Sequence, residues 1–170
     1  MGHTPLIKFQ PQGFPKADIF FKNETATRTR SLKHRFAWAL LLWAIVDGKV
    51  GRNTSVYDAT SGNTGASEAY MCKLVGLRFV AVVQKELEQE KINQITSNGG
   101  EIVKVSGWHS FRILFSLSFC SRFVTIMIKV EASLRSSHAK KLAKENNGFF
   151  INQFGNAQHA EEFHESEGTY

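Results

Sequence analysis

Cysteine is scarce in this sequence, and its two cysteines lack the close spacing of a metal-binding pair. Cys72 falls in a helical pattern and Cys120 in an apolar stretch, so we interpret both as buried free thiols of a reducing compartment. The opening residues, MGHTPLIKF, also lack the basic flank and the long apolar core of a secretory signal. We therefore expect a cytoplasmic protein.

Acidic residues are absent from residues 107–130, a stretch that is crowded with phenylalanine and serine. Four phenylalanines recur every four residues from Phe111 to Phe123, which hints at a helix, but Arg112 and Arg122 fall among them and leave no polar face. A membrane-surface helix needs such a face. A spanning helix would carry Arg122 into hydrocarbon at a cost of about 2.5 to 3.5 kcal/mol. We therefore expect no membrane partner.

Residues 107–130 also interrupt the chain where a few loop residues would normally suffice. We interpret them as an atypical insertion. Our preferred hypothesis is that they are not part of the evolved fold, for example translated intron sequence from a wrong gene model. Sequencing the transcript tests this, since a message that reads through these codons uninterrupted would refute it.

The rest of the composition is that of a globular protein. The chain has 170 residues, of which 42% are hydrophobic, so it is about one domain long and can bury a core. Its formal net charge of +6 permits acidic partners but says little about fold. Residues 25–46 lack acids, yet they are basic only at the start and carry no interleaved aromatic platform there, so we expect no nucleic-acid partner.

Strand-like and helix-like segments alternate along the chain. The strand candidates are residues 18–24, 56–59, 78–84, 101–105 and 149–154. The helix candidates are the apolar run from Lys33 that stops at Asp47 and Gly48, and residues 64–75, 87–97 and 139–146. This alternation predicts a three-layer α/β fold, with a mostly parallel sheet between helices on both faces. Ligands of such sheets bind beyond the carboxyl ends of the strands.

Residues 58–65 read DATSGNTG and join a strand candidate to a helix candidate at such an end. The first N–H groups of a helix are unpaired within it, and the helix dipole adds about half a positive charge, so carboxylate or phosphate binds there readily. The loop offers glycines, hydroxyl groups and one amide, from Gly62, Gly65, Thr60, Ser61, Thr64 and Asn63. The same residue types also make an ordinary turn and N-cap, which the loop alone favours.

Lys33 opens a helix so apolar that the helix must be buried. We expect its ammonium near a positive helix end and low-dielectric surroundings, both of which disfavour the charged form. A neutral amine is a nucleophile that can form a Schiff base with an aldehyde. The alternative, which position alone favours, is an ordinary lysine on a solvent-facing basic strip with Arg28, Arg30 and Arg35.

Four segments, in this order, resemble the first half of the pyridoxal-phosphate enzymes of fold type II: MGHTPLIKF, SLKHR, TSGNTG and NQFGNA. That family includes cysteine synthase, cystathionine β-synthase and the tryptophan synthase β-chain. The match covers most of residues 1–170 except 107–130, and TSGNTG with an upstream lysine motif is far more specific than either alone. The resemblance implies the N-terminal part of that family's α/β fold, with pyridoxal 5'-phosphate as cofactor.

The resemblance also implies roles for individual residues. Lys33 stands at the Schiff-base lysine of an S-x-K-D-R type of motif, and would be the catalytic residue and bind the cofactor. Asn63 would contact the phenolic oxygen of the cofactor. The substrate α-carboxylate would be held by loop residues and by a glutamine that precedes phenylalanine, namely Thr60, Ser61, Gly62, Thr64 and Gln153.

The implied activity is β-elimination or β-replacement on serine, an O-acylserine or a sulfur amino acid, by a homodimer at full length. The sequence departs from the family at His34, where aspartate is usual, and at Ala157, where proline is usual. Family members are considerably longer, and their second half carries a glycine-rich loop for the cofactor phosphate that does not occur after Gln153. We therefore expect a truncated member that is inactive and retains little cofactor on its own. The alternative is a catalytically inactive relative with a binding or regulatory role.

The histidines give a weaker signal. His159 and His164 in HAEEFHE resemble a metal site. Five residues apart on a helix, however, two side chains point about 140 degrees away from each other. We interpret this segment as a solvated acidic turn and expect no metal site.

Overall fold

The computed structural model describes residues 3–14, 16–106 and 121–166. Two short strands, β1 (Leu6–Phe9) and β2 (Ile19–Lys22), pair antiparallel near the N-terminus. A single 3-10 turn (Glu24–Ala26) then leads toward the first helix, α1 (Lys33–Val46). The hairpin is joined to this helix by Glu24, whose carboxylate accepts hydrogen bonds from Thr4 and Arg35.

The central sheet has four parallel strands in the order β5-β4-β3-β6. They are β3 (Val56–Ala59), β4 (Phe79–Gln84), β5 (Glu101–Val105) and β6 (Phe149–Phe150). Nearly every residue of β3 and β4 is buried, as expected for central strands that are covered on both faces. All four carboxyl ends therefore lie at one edge of the sheet.

Helices cover both faces of this sheet. Besides α1, the described residues form the helices α2 (Asn63–Leu74), α3 (Gln89–Ser97), α4 (Ser121–Glu145) and α5 (Ala157–Ser166). One face carries α1, α2, α3 and α5 around the larger core, while α4 packs on the other face against β3, β4 and β6. Because α1 contacts both α2 and α5, apolar residues occur on several of its sides. The predicted three-layer α/β fold is confirmed.

Some boundaries differ from the predicted ones. Residues 56–59 and 101–105 form strands as predicted, but the last strand ends at Phe150 rather than residue 154. It ends early because Asn152 adopts a positive φ of 52° and turns the chain. The helix predicted for 139–146 begins earlier, since α4 starts at Ser121.

The proposed insertion, residues 107–130, lies only partly within the described residues. Residues 107–120 fall outside them, together with Cys120, whereas residues 121–130 form the first part of the α4 backbone. The hypothesis that this segment is not part of the evolved fold stays a prediction. Among the helices of residues 3–14, 16–106 and 121–166, none is long and apolar enough to cross a bilayer.

Candidate functional site

The DATSGNTG loop leaves the carboxyl end of β3 and leads directly into α2. The Thr60 N–H donates to the carbonyl of Val82 at 3.2 Å, which extends the pairing of β3 with β4 by one residue. Asn63 is the first helical residue, and no side chain caps this helix end. The first N–H groups of α2 are thus available at the sheet edge, where the positive end of the helix dipole favours an anion.

Two glycines give the loop its shape. Gly62 has φ 71° and ψ −132°, a conformation that side-chain-bearing residues rarely adopt. Gly65 lies so close to the loop that an added Cβ would be 2.7 Å from Thr60 Cγ2 and 3.1 Å from Ile95 Cδ1. The first turn of α2 therefore packs directly against Thr60.

Lys33 is the first residue of α1, and its side chain is exposed. Its backbone N–H donates to Ser31 Oγ at 3.1 Å, and its Nζ lies 5.8 Å from the centre of the Phe36 ring. The expectation of low-dielectric surroundings is therefore wrong for this chain. The buried face of α1 is formed by residues farther along the helix, such as Ala37 and Leu40, whereas Lys33 lies at the open end.

A cleft of about 490 Å³ brings this lysine and the loop together. Its walls are the start of α1, the loop with the start of α2, and the start of α3. The residues that line it are Ser31, Leu32, Lys33, Ser61, Gly62, Asn63, Thr64, Glu88, Glu90, Lys91 and Gln94. Five predicted site residues thus share one cleft, although they come from two segments about thirty residues apart in the chain.

Thr60 and Gln153 do not line this cleft. Thr60 is 2% exposed, and its Oγ1 is a buried atom without a hydrogen-bond partner among the described residues. Gln153 is 8% exposed, and its Nε2 donates to Asp58 Oδ2 at 2.8 Å and to the Ala59 carbonyl at 3.2 Å. Its amide donors therefore point to the end of β3, and its predicted contact with a substrate carboxylate stays a prediction.

Sequence reasoning missed two buried acids beneath the loop. Asp58 and Glu68 are 1% and 2% exposed, and their carboxyl groups are in hydrogen-bonding contact. Burial raises the pKa of Asp58 to about 7, although hydrogen bonds from Gln153 and Ala59 oppose this. Burial is also the main cause that raises the pKa of Glu68, and the charge of Asp58 raises it further. The available signal was a charged residue within ASEAYMC, a helical segment of otherwise small and apolar character.

His34, which stands in place of the family's aspartate, is buried behind Lys33. The His34 Nδ1 lies 3.0 Å from Thr29 Oγ1, which in turn lies 2.9 Å from Ser67 Oγ. The imidazole also packs against the Tyr70 ring, at 5.5 Å between centroids. Burial is the main cause that lowers the pKa of His34, and the nearby charge of Arg35 lowers it further. This histidine thus links α1 to α2 as a predominantly neutral ring at neutral pH.

Sequence reasoning also missed one wall of the cleft, which the start of α3 forms. Lys91 Nζ pairs with Glu88 at 3.1 Å, and the Lys91 methylenes lie 3.7 to 4.0 Å from the position a Cβ would take on Gly62. The signal that could have identified this wall is the strand order, since α3 follows β4, the strand next to β3. Loops that leave adjacent parallel strands meet at one edge.

The remaining candidates lie elsewhere. Cys72 is a buried free thiol as predicted, and burial, with a smaller contribution from the Glu68 charge, raises its pKa. The His159 ring stacks on Trp43, with 4.6 Å between centroids. Within the described part of the chain, no three His, Cys, Asp or Glu residues are grouped as a metal site.

Comparison with known proteins relates this chain to a family. The chain matches the model of the family described as pyridoxal-phosphate dependent enzyme over residues 1–168. It is 57% identical over 171 residues to a putative pyridoxal-phosphate dependent protein of Caenorhabditis elegans, covering 100% of this chain and 34% of that protein. It is 36% identical to an L-cysteine desulfhydrase of Mycobacterium tuberculosis, covering 84% of this chain and 32% of that protein. The chain thus spans about a third of the length of these relatives.

Solved structures agree with this relation. The fold matches that of O-ureido-L-serine synthase with a TM-score of 0.68 and 25% identity, over 88% of this chain and 41% of that chain. It also matches an O-acetylserine dependent cystathionine β-synthase from Helicobacter pylori with a TM-score of 0.68 and 22% identity, over 90% of this chain and 44% of that chain. The second match shows the fold alone. The chain belongs to the pyridoxal-phosphate dependent enzymes of fold type II.

Proposed function

We propose that this chain forms the lysine-and-loop half of an active site that acts on a small amino acid by β-elimination or β-replacement. The observation that carries the proposal is the shared cleft, in which Lys33 and the residues from Ser61 to Thr64 line one space at the carboxyl edge of the sheet. An amine and a set of anion-binding N–H groups are the two functions that such chemistry needs in this half of a site.

The residues of the cleft fit the cofactor of the family. The Lys33 side chain is exposed in the cleft and supplies a primary amine for an aldehyde. Asn63 is also exposed there and supplies an amide for a phenolic oxygen. The cleft volume of about 490 Å³ falls within the range typical of small-molecule sites.

Lys33 would transfer a proton, and the loop would orient the substrate. When bound, pyridoxal phosphate supplies an electron sink for charge that develops at the substrate Cα. The Lys33 amine would take the proton from that carbon as general base. The N–H groups at the start of α2 and the hydroxyl groups of Ser61 and Thr64 would hold the α-carboxylate, so that the Cα–H bond lies within reach of Nζ.

We place the substrate among serine, O-acylserines and sulfur amino acids. The support comes from relatives whose names specify such chemistry, including the L-cysteine desulfhydrase and a cysteine synthase B of Campylobacter jejuni. The latter is 33% identical over 60% of this chain. The start of α3 faces the loop across the cleft, so Glu88, Lys91 and Gln94 are the residues we expect to contact the substrate side chain.

A catalytically inactive relative with a binding role is the second candidate. It is favoured by His34 in the place of aspartate and by Gln153, whose amide donates to Asp58 rather than into the cleft. Both candidates predict a folded chain with an anion-binding loop. They differ in whether Lys33 reacts with an aldehyde.

Reductive trapping on the chain tests the reactivity of this lysine. The protein is incubated with pyridoxal phosphate, treated with borohydride, digested and mapped by mass spectrometry. We expect preferential labelling of Lys33. Covalent trapping also registers a transient contact, so it does not require that the chain retain the cofactor tightly.

Two variants control this experiment. Lys33→Ala should lose the labelled peptide. Lys140→Ala should keep the labelled Lys33 peptide, because Lys140 is an exposed lysine on α4, on the opposite face of the sheet. Labelling spread evenly over surface lysines, with no dependence on Lys33, would refute the proposed role of this residue and favour the inactive relative.

A further inference from the structure

Asp58 and Glu68 form a buried pair that the proposed chemistry does not use. Asp58 lies in β3 and Glu68 in α2, and their side chains meet between the sheet and the helix. Neither residue lines the cleft. Two ionised carboxylates in contact would each lose their hydration and repel each other, so the pair is stable only with a proton between its oxygens.

The hydrogen bonds around the pair indicate where this proton lies. Asp58 accepts from the Gln153 N–H at 3.5 Å, from Gln153 Nε2 at 2.8 Å and from the backbone N–H of Ala59. With both acids ionised, neither oxygen of Glu68 has a hydrogen-bond donor among the described residues. Protonation of Glu68 supplies the missing donor, because its O–H can then donate to Asp58.

The pair connects three segments at the base of the loop. Glu68 belongs to α2, Asp58 precedes Thr60 by two residues, and Gln153 follows β6. The Gln153 amide also donates to the Ala59 carbonyl at 3.2 Å, which fixes it against the end of β3. Asp58 is flanked in β4 by the apolar residue Ala81, and Cys72, one turn beyond Glu68, is a neutral thiol.

We propose that Glu68 and Asp58 share one proton and act as positioning residues, with protonated Glu68 orienting Asp58 so that Asp58 holds the Gln153 amide beside the TSGNTG loop. The relevance of this position to a substrate carboxylate rests on the proposed function. The shared proton and the hydrogen bonds do not, since they lie outside the cleft.

Infrared spectroscopy of the chain tests the shared proton. At about pH 8, where ordinary carboxyls are ionised, we expect a carbonyl stretching band of a protonated carboxyl that shifts in heavy water. Glu68→Gln should remove this band, whereas Glu101→Gln should keep it because Glu101 is a surface carboxylate paired with Arg78 at 2.6 Å. Absence of the band in the wild type, or its persistence in Glu68→Gln, would overturn the proposal.

Hydrogen exchange at the Gln153 side-chain amide, followed by NMR, tests the positioning. Glu68→Gln keeps a neutral donor to Asp58, so this amide should stay protected as in the wild type. Glu68→Leu fills much of the same space without a donor, and protection should be lost. Equal protection in Glu68→Leu and the wild type would contradict a positioning role. If Glu68→Leu does not fold, Glu68→Gln still tests the positioning role. Loss of protection in Glu68→Gln would contradict this role, and retained protection in Glu68→Gln would support it.

Neither measurement requires bound cofactor. If trapping at Lys33 fails while the infrared band is present and depends on Glu68, the proposed function fails and the proton-sharing pair stands. If trapping succeeds and the band is absent, the proton-sharing pair fails and the proposed function stands. The two proposals therefore fail separately.

Discussion

At the residue scale, two glycines decide the shape of the DATSGNTG loop. Gly62 adopts a positive φ with an extended ψ, and Gly65 leaves no room for a methyl group next to Thr60. The space around Gly62 is less restricted, since the nearest atom to an added Cβ would be a Lys91 methylene at 3.7 Å. A substitution at Gly62 thus tests backbone strain with little steric overlap.

We predict that Gly62→Ala lowers the free energy of unfolding by about 1 to 3 kcal/mol, because alanine must adopt a conformation that costs this much. Urea unfolding followed by circular dichroism measures the change. Gly51→Ala is the matched control, since Gly51 is exposed and has an ordinary φ, and its effect should stay within about 0.5 kcal/mol. Equal effects of the two substitutions would contradict the strain argument.

At the element scale, the N-terminal hairpin depends on a small polar cluster. Arg35 of α1 donates through Nε to Glu24 at 2.8 Å, and Thr4 donates to the same carboxylate at 2.6 Å. Both strands of the hairpin are exposed, so apolar burial contributes little to their attachment. Partial burial raises the pKa of Glu24, but the bonds from Thr4 and Arg35 together outweigh it and lower the pKa from its ordinary 4.5.

Glu24→Gln should therefore destabilise the chain at neutral pH, by about 1 to 2 kcal/mol for a partly buried charged hydrogen bond. A lowered folded-state pKa means that the ionised carboxylate stabilises the fold above pH 4.5 and that this stability is lost as the pH falls through the folded pKa. The difference between wild type and variant should therefore shrink in acid, which thermal unfolding across pH measures.

Asp18→Asn provides the comparison for Glu24. Asp18 pairs with Lys8 at 2.9 Å, but both side chains are at least half exposed. Exposed ion pairs contribute about 0 to 1 kcal/mol. If Asp18→Asn destabilised the chain as much as Glu24→Gln, the cluster at Glu24 would have no special role.

At the scale of the whole molecule, the buried acid pair couples stability to pH. The pKa of Asp58 is raised from 3.8 to about 7 in the folded chain. Between these values the folded state binds more protons than the unfolded state, so stability should fall as the pH rises through this window. The lowered pKa of His34 acts in the opposite direction near and below its ordinary value of 6.5.

Comparison of variants separates these contributions. Glu68→Gln should reduce the fall in melting temperature between about pH 5 and about pH 8, because a neutral amide replaces one member of the pair. Glu101→Gln should keep the wild-type slope, because Arg78 lowers the pKa of Glu101 and that carboxylate stays ionised throughout this range. Parallel curves for wild type and Glu68→Gln would show that the pair does not titrate in the folded chain.

Much of the fold was predictable because its signals are local. Residues 56–59 and 101–105 have β-strand composition between turn residues, and alternation with helices implies a parallel sheet. The end of β6 was not predictable, because Asn152 turns the chain where Gln153 meets Asp58, ninety-five positions away. Contacts at that separation leave no periodic pattern in the sequence.

The sequence by itself determined the three-layer architecture, the glycine-rich turn at the end of β3 and, through four short motifs, the family. Only the tertiary structure decided the surroundings of the side chains. It placed Lys33 at an exposed cleft rather than in the interior, turned Gln153 toward Asp58, brought α3 across from the loop, and buried Glu68 against Asp58. The physical reason is that backbone conformation depends on neighbouring residues, whereas burial, protonation and hydrogen-bond partners depend on segments that meet only after folding.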